Sequence, residues 1–138
     1  MISPAMLRAI GAHAKACFPA ECCGYITDRV VPCTNAQAEG LHPTAPERGA
    51  DTGFVIAGTE LIAFARSFAT PAPARVLYHS HTNGRAYFSE IDREIARNAG
   101  YPVDHLVIGV TATGLTEAAL FQSGDFVEIA RWASEVLG

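Results

Sequence analysis

A single compact α/β domain is the fold class this sequence predicts, and three observations carry that expectation. The chain has 138 residues, the size of one ordinary domain, enough to bury about two thirds of its unfolded surface in one core. Apolar residues make up 49% and charged residues only 17%, with 12 Gly and 8 Pro scattered along the chain, a composition that folds rather than stays disordered. Stretches with helical spacing of apolar residues alternate with short apolar runs bounded by turn residues, without repeats or low-complexity tracts.

Taken in order, Ser3 and Pro4 supply a capping hydroxyl and a first-turn proline. Met6, Leu7, Ile10, Ala14 and Cys17 follow at helical spacing, so a first helix is expected to run to about Cys17. Pro19 ends it. Cys23 to Ile26 and Val30-Val31, around Thr27-Asp28-Arg29, read as a hairpin. Residues Ala36 to Thr52 hold no apolar period and exceed usual connection lengths, which marks a long surface loop where partner choice is expected to reside. Phe54-Val55-Ile56 has the composition of a strand, and a helix opening at Gly58 or Thr59 is expected to carry a broad apolar face of Leu61, Ile62, Phe64, Ala65 and Phe68. Val76-Leu77-Tyr78 is a strand leading into His79-Ser80-His81. After the Gly-containing loop 82–88, Ser89-Glu90-Ile91-Asp92 has the pattern of a helix N-terminus, with that helix ending near Gly100. Leu106–Val110 and Leu115–Gln122 read as strands, and Ser123-Gly124-Asp125 turns the chain into Phe126–Ile129, an expected antiparallel neighbour.

Charge and composition exclude several functions. Ten Lys and Arg against 14 Asp and Glu leave a net charge of −4, with no global positive field for a nucleic-acid backbone. The longest apolar runs fall far short of the ~20 residues that span a bilayer, so no membrane partner is expected. The first residues lack the basic head, apolar stretch and cleavage site of a secretory signal, which makes a cytoplasmic location the expectation. Cys17, Cys22, Cys23 and Cys33 lack paired Cys-x-x-Cys spacing, and adjacent Cys22 and Cys23 would face opposite sides of a strand. They read as reduced, buried small hydrophobes.

The chemistry concentrates after the third extended run. His79 and His81, one residue apart on a strand, project from one face and can converge on one cation. Asp92, on the first turn of the helix after the loop, can return a carboxylate to the strand's end. The resulting His/His/Asp set leaves a fourth position open, the arrangement of a catalytic zinc. A hydrolase of this kind needs a base and a group that steadies the oxyanion, and Glu21 and Ser89 are the candidates.

His79-Ser80-His81, seven residues, Ser89, two residues and Asp92 together resemble the H-x-H-x7-S-x2-D signature of the JAMM (MPN+) zinc metalloproteases, of the prokaryotic JAB-domain type. Pro19-Ala20-Glu21-Cys22-Cys23-Gly24 is similar to the segment after the first helix in that family. The resemblance implies an MPN/JAB, cytidine-deaminase-like fold, with a mixed, mostly antiparallel curved sheet flanked by helices over residues 1–138. It implies Zn2+ held by His79, His81 and Asp92, Glu21 as general acid/base, and Ser89 as stabiliser of the tetrahedral intermediate. The expected activity is a deubiquitinase-like metallopeptidase that cuts the amide or isopeptide bond after the C-terminal glycine of a ubiquitin-like or sulfur-carrier protein. Enzymes of an E1-like pathway are a further expected class of partner. Where relatives often carry proline after the second histidine, this chain has Thr82, so loop 82–88 is expected to differ in shape and substrate preference while keeping every ligand. Two alternatives stand beside this reading: a non-catalytic MPN-type binding module, and a phage-tail or cell-wall-type peptidase, whose relatives add a second hydrolase domain.

Other residues carry plainer roles. His13, His42 and His105 read as structural or exposed histidines, and Ser89 would cap a helix even without catalysis. Tyr87, Phe88, Phe126 and Trp132 read as core or loop-packing aromatics. Glu90, Arg93, Glu94 and Arg97 form the alternating charges of an exposed helix face, and Arg85 has no assignable partner.

Overall fold

The computed structural model describes residues 2–39 and 53–138. Most of the predicted 36–52 loop, and His42, therefore lie outside the described residues. A single 3-10 turn occupies Ala36–Glu39.

Helix α1 spans Pro4–Cys17 and begins as expected, with Ser3 accepting from the Met6 N–H at 3.1 Å. Strands β1 (Cys23–Ile26) and β2 (Val30–Cys33) form the hairpin. Helix α2 (Gly58–Ser67), β3 (Val76–His81), α3 (Glu90–Ala99), β4 (Asp104–Thr111), β5 (Gly114–Phe121) and β6 (Glu128–Ala133) follow. A short C-terminal helix α4 (Ser134–Leu137), absent from the sequence reading, completes the chain. The strands make one six-stranded sheet in the order β2-β1-β3-β4-β5-β6, antiparallel except for β3 beside β4. That parallel pair is joined through α3, so the β3–α3 connection emerges at the carboxyl end of its strand, where open α/β sheets place ligands.

Strand alternation assigns the two faces. Val76, Tyr78, Leu106 and Ile108 pack with Leu7, Ile10 and Ala14 of α1 and Leu137 of α4 in one core cluster. Cys23, Tyr25 and Leu77 pack with Phe64 of α2 in a second, and Val107, Ala119, Phe88 and Phe126 form a third. Cys22 and Cys23 do fall on opposite faces, and all four cysteines are free thiols. Burial pushes Cys22 and Cys33 up to about 12, so both remain protonated packing groups at neutral pH. No helix among the described residues is long and apolar enough to cross a membrane.

Three expectations need correction. Phe54–Ile56 is not a strand: the Val55 N–H donates to the Asn35 side chain and its carbonyl accepts from Ala36, so its backbone groups are satisfied outside any ladder. The final strand begins at Glu128 rather than Phe126, because Phe126 takes a left-handed conformation (φ 59°) that prolongs the turn while its ring stays buried. The broad apolar face of α2 buries Phe64 alone of its predicted members within the helix, and Leu61 and Ile62 are exposed.

The plainer assignments divide. His13 is half-buried and bonded to the Tyr78 hydroxyl at 2.7 Å, and Trp132 packs at the rim of the first cluster. His105 is buried against Phe88 and Phe126, and desolvation pushes it down from its ordinary 6.5 to about 4. A histidine kept neutral in the fold but free to take a proton when unfolded makes the unfolded state bind more protons between those values. Its stabilisation is therefore whole above pH 6.5 and is lost as pH falls toward 4. Metal-free protein is expected to lose roughly 3 kcal/mol from this source over that interval. Urea unfolding at pH 7 and pH 4.5 measures it. His105→Leu should flatten the dependence, and an unchanged slope in that variant would reject the assignment.

Candidate metal centre

His79 and His81 leave the same face of β3 because one residue separates them, and both are buried. Ser89 caps α3 with its hydroxyl accepting from the Asp92 N–H at 3.0 Å, and Asp92 Oδ2 accepts in return from the Ser89 N–H at 3.0 Å. This capping box fixes the carboxylate above the strand end. His79 Nε2 and His81 Nε2 lie 3.1 Å apart, and Asp92 Oδ2 is 3.3 Å and 3.2 Å from them. Tetrahedral bonds of ~2.0–2.1 Å require ligand atoms about 3.3–3.4 Å apart, so the triangle already has the size of one face of such a site.

Proton positions support the same conclusion. His81 Nδ1 lies 3.0 Å from the Arg85 carbonyl, which only accepts, so a neutral His81 carries its proton there and turns a bare Nε2 lone pair toward the other two ligand atoms. A lone pair facing a carboxylate oxygen is repulsive unless a cation or proton lies between them. Burial alone would raise the Asp92 carboxyl, but positive charge between it and the imidazoles, which protons on their facing nitrogens supply in metal-free protein, wins and holds it far below the usual carboxylate range. Two imidazoles, one ionised carboxylate and a backbone carbonyl behind one ring make a donor set that fits a divalent ion.

Aromatic rings bracket the pair. Phe54 stacks on His79 with centroids 4.5 Å apart, and Tyr87 meets His81 edge-on at 4.7 Å. Phe88 is buried as expected, whereas Tyr87 is exposed, and Arg85 lies over its ring at 5.7 Å. The predicted charged face of α3 is exposed at Glu90, Glu94 and Arg97, while Arg93 reaches over Phe88. The other side of α3, with Ile95, Ala96 and Ala99, joins Phe54, Ile56 and Leu61 around a cavity of about 210 Å³ that His79 and Asp92 also line.

Glu21 is 5% exposed. Glu21 lies two residues before β1, whose first register pair with β3 is Cys23↔His79, and the Ser80 N–H donates to the Cys22 carbonyl at 3.1 Å, so the Glu21 segment is tied to the histidine end of β3. Three residues to which the sequence assigns no role build this neighbourhood. Ser80, on the other face of β3, accepts from the Cys22 N–H at 2.7 Å. Asn35 donates to the carbonyls of Glu21 and Gly53, joining the Glu21 segment to the Phe54 wall. Gly109, the register partner of His81, leaves room for the loop, since a Cβ there would meet the Gly84 carbonyl at 2.7 Å. Of these only Ser80 lay within a motif, and its alternation away from the histidines is the signal that separates it from them.

Comparison with known proteins agrees with this picture. Residues 3–122 match the model of the prokaryotic homologs of the JAB domain. The solution structure of a protein from Desulfitobacterium hafniense is similar to this chain with a TM-score of 0.58 and 20% identity, covering 91% of this chain and 86% of that one. One from Salinibacter ruber is similar with a TM-score of 0.51 and 22% identity over 94% and 86%. At that identity the two structures show a shared fold. No curated protein matches the sequence. With the match covering most of its length and a His/His/Asp set in place, this chain belongs to the prokaryotic JAB-domain family.

Proposed function

We propose that this protein is a zinc-dependent metallopeptidase that hydrolyses the amide or isopeptide bond after the C-terminal glycine of a ubiquitin-like or sulfur-carrier protein, in the cytoplasm. The observation that carries the reading is the buried triangle of His79, His81 and Asp92 ligand atoms at 3.1–3.3 Å, with the His81 tautomer set for coordination. A zinc ion with three protein ligands supplies Lewis acidity and a water acidified to about pKa 7.

The chain's own residues do the rest. Glu21, on the segment tied to the histidine end of β3, takes the proton of the attacking water and returns it to the leaving amine. The Ser89 hydroxyl accepts from Asp92 N–H, which leaves its proton free to donate to the oxyanion of the attacked carbonyl. Helix α3 buries none of its residues fully, and its apolar side, with Ile95, Ala96 and Ala99, lines the cavity beside His79, Ala96 also touching the third core cluster. An extended tail with apolar side chains before small glycines suits that shape, and enzymes of an E1-like pathway would act on the same tail.

Metal quantification in freshly purified protein is the direct test. About one zinc per chain is expected, with cleavage of a ubiquitin-like protein carrying a C-terminal extension abolished by a chelator and restored by zinc. Protein that takes up no stoichiometric divalent ion would instead be a binding module that keeps the fold.

A further inference from the structure

Loop 82–88 is fastened to strands β5 and β6. Thr116 Oγ1 on β5 donates to the Gly84 carbonyl at 2.6 Å, and the Ala86 N–H donates to Glu117 Oε2 at 2.9 Å. From β6, Arg131 Nη2 donates to the Ala86 carbonyl at 2.9 Å, and its Nη1 sits 2.9 Å from Glu117 Oε1. Glu128 holds the same guanidinium at 3.0 and 2.7 Å. Ala86 is buried, so both of its backbone groups find their partners on these two strands.

The N–H of Ala86 and the carbonyl of Arg85 belong to one trans peptide group and point in opposite directions. At one end the carbonyl accepts from His81 Nδ1 at 3.0 Å; at the other the N–H meets the Glu117 carboxylate. Carboxylate, peptide, imidazole and ligand atom thus form one unbroken line. Hydrogen bonds in series polarise one another, so an anion at the N–H end makes the carbonyl oxygen a better acceptor and the imidazole a stronger donor at Nε2. Carboxylates do this to ligating histidines by direct contact; here one peptide group stands between.

The ion pair itself adds little to stability. The Arg131 and Glu117 side chains are 40% and 37% exposed, and an ion pair that open contributes only ~0–1 kcal/mol. The Ala86 N–H, assisted by Arg131, holds the Glu117 carboxyl below its ordinary value, so it is charged at neutral pH. Arg131 also lies beyond residue 122, where the family match ends.

We infer that Glu117, fixed by Arg131, is a positioning residue that orients His81 and strengthens its Nε2 as a metal ligand through the Arg85–Ala86 peptide. This rests on the metal reading above. Glu117→Gln keeps an oxygen to accept the Ala86 N–H and removes the charge; Arg131→Ala removes the guanidinium; Glu94→Gln, at an exposed position on α3, controls for charge alone. The readouts are the zinc dissociation constant, from competition with a chromophoric chelator, and the proton resonance of His81 Nδ1–H in zinc-loaded protein. The constant is expected to rise at least about tenfold in Arg131→Ala and about three- to tenfold in Glu117→Gln, less than the roughly 10–100-fold typical of residues in direct contact with a ligand because one peptide group intervenes. Glu94→Gln should stay within about twofold of wild type, and the Nδ1–H resonance should move upfield in Glu117→Gln. Glu117→Gln deletes no contact to the loop, so it decides the matter even if Arg131→Ala fails to fold. Wild-type affinity and an unmoved resonance in Glu117→Gln overturn the relay while leaving the metal reading standing; a wild type that binds no zinc removes both.

Discussion

Glu21→Gln is expected to abolish cleavage while leaving the metal content unchanged. The glutamate is nearly inaccessible and lies two residues before a strand whose first register pair is Cys23↔His79, on a segment tied to the histidine end of β3. An amide matches the carboxylate in size but cannot accept the proton of an attacking water. A positioned general base contributes about 10²–10⁴-fold, so kcat is expected to fall by roughly that factor. Metal analysis of the same sample separates the roles. Turnover near the wild-type value would remove Glu21 from the chemistry, and loss of the ion would make it a ligand instead of a base.

Asp92→Asn should act the other way, by emptying the centre of metal while preserving the helix that presents it. Asp92 Oδ2 accepts from the Ser89 N–H and faces both imidazoles, so the carboxylate serves the capping box and the ligand triangle at once. An asparagine oxygen can still cap α3, but it brings no charge to balance the cation. Binding free energies of ~10–16 kcal/mol shared among four ligands give about 3 kcal/mol for each, or on the order of a hundredfold in affinity. Competition titration, with circular dichroism to verify the helix, measures the change. Affinity within tenfold of wild type would show that the carboxylate is a cap and not a ligand.

The sequence by itself determined whatever depends on local spacing. Period-two alternation put His79 and His81 on one face of a strand, the Ser89–Asp92 interval encoded a capping box, and helical apolar spacing outlined α1. Glu21 was identifiable only by resemblance, because what brings its segment to the histidine end of β3 is antiparallel pairing between strands far apart in the chain. The same holds for Ser80 reaching Cys22, Asn35 tying Glu21 to the Phe54 segment, and Glu117 with Arg131 gripping the peptide behind His81. Phe54–Ile56 shows the converse: a strand-like composition whose backbone was taken up by Asn35 and Ala36. Local pattern states which face a side chain takes and where a helix starts. Only tertiary structure decides which distant backbone and side-chain groups satisfy one another, since those partners are chosen by register and packing across the sheet.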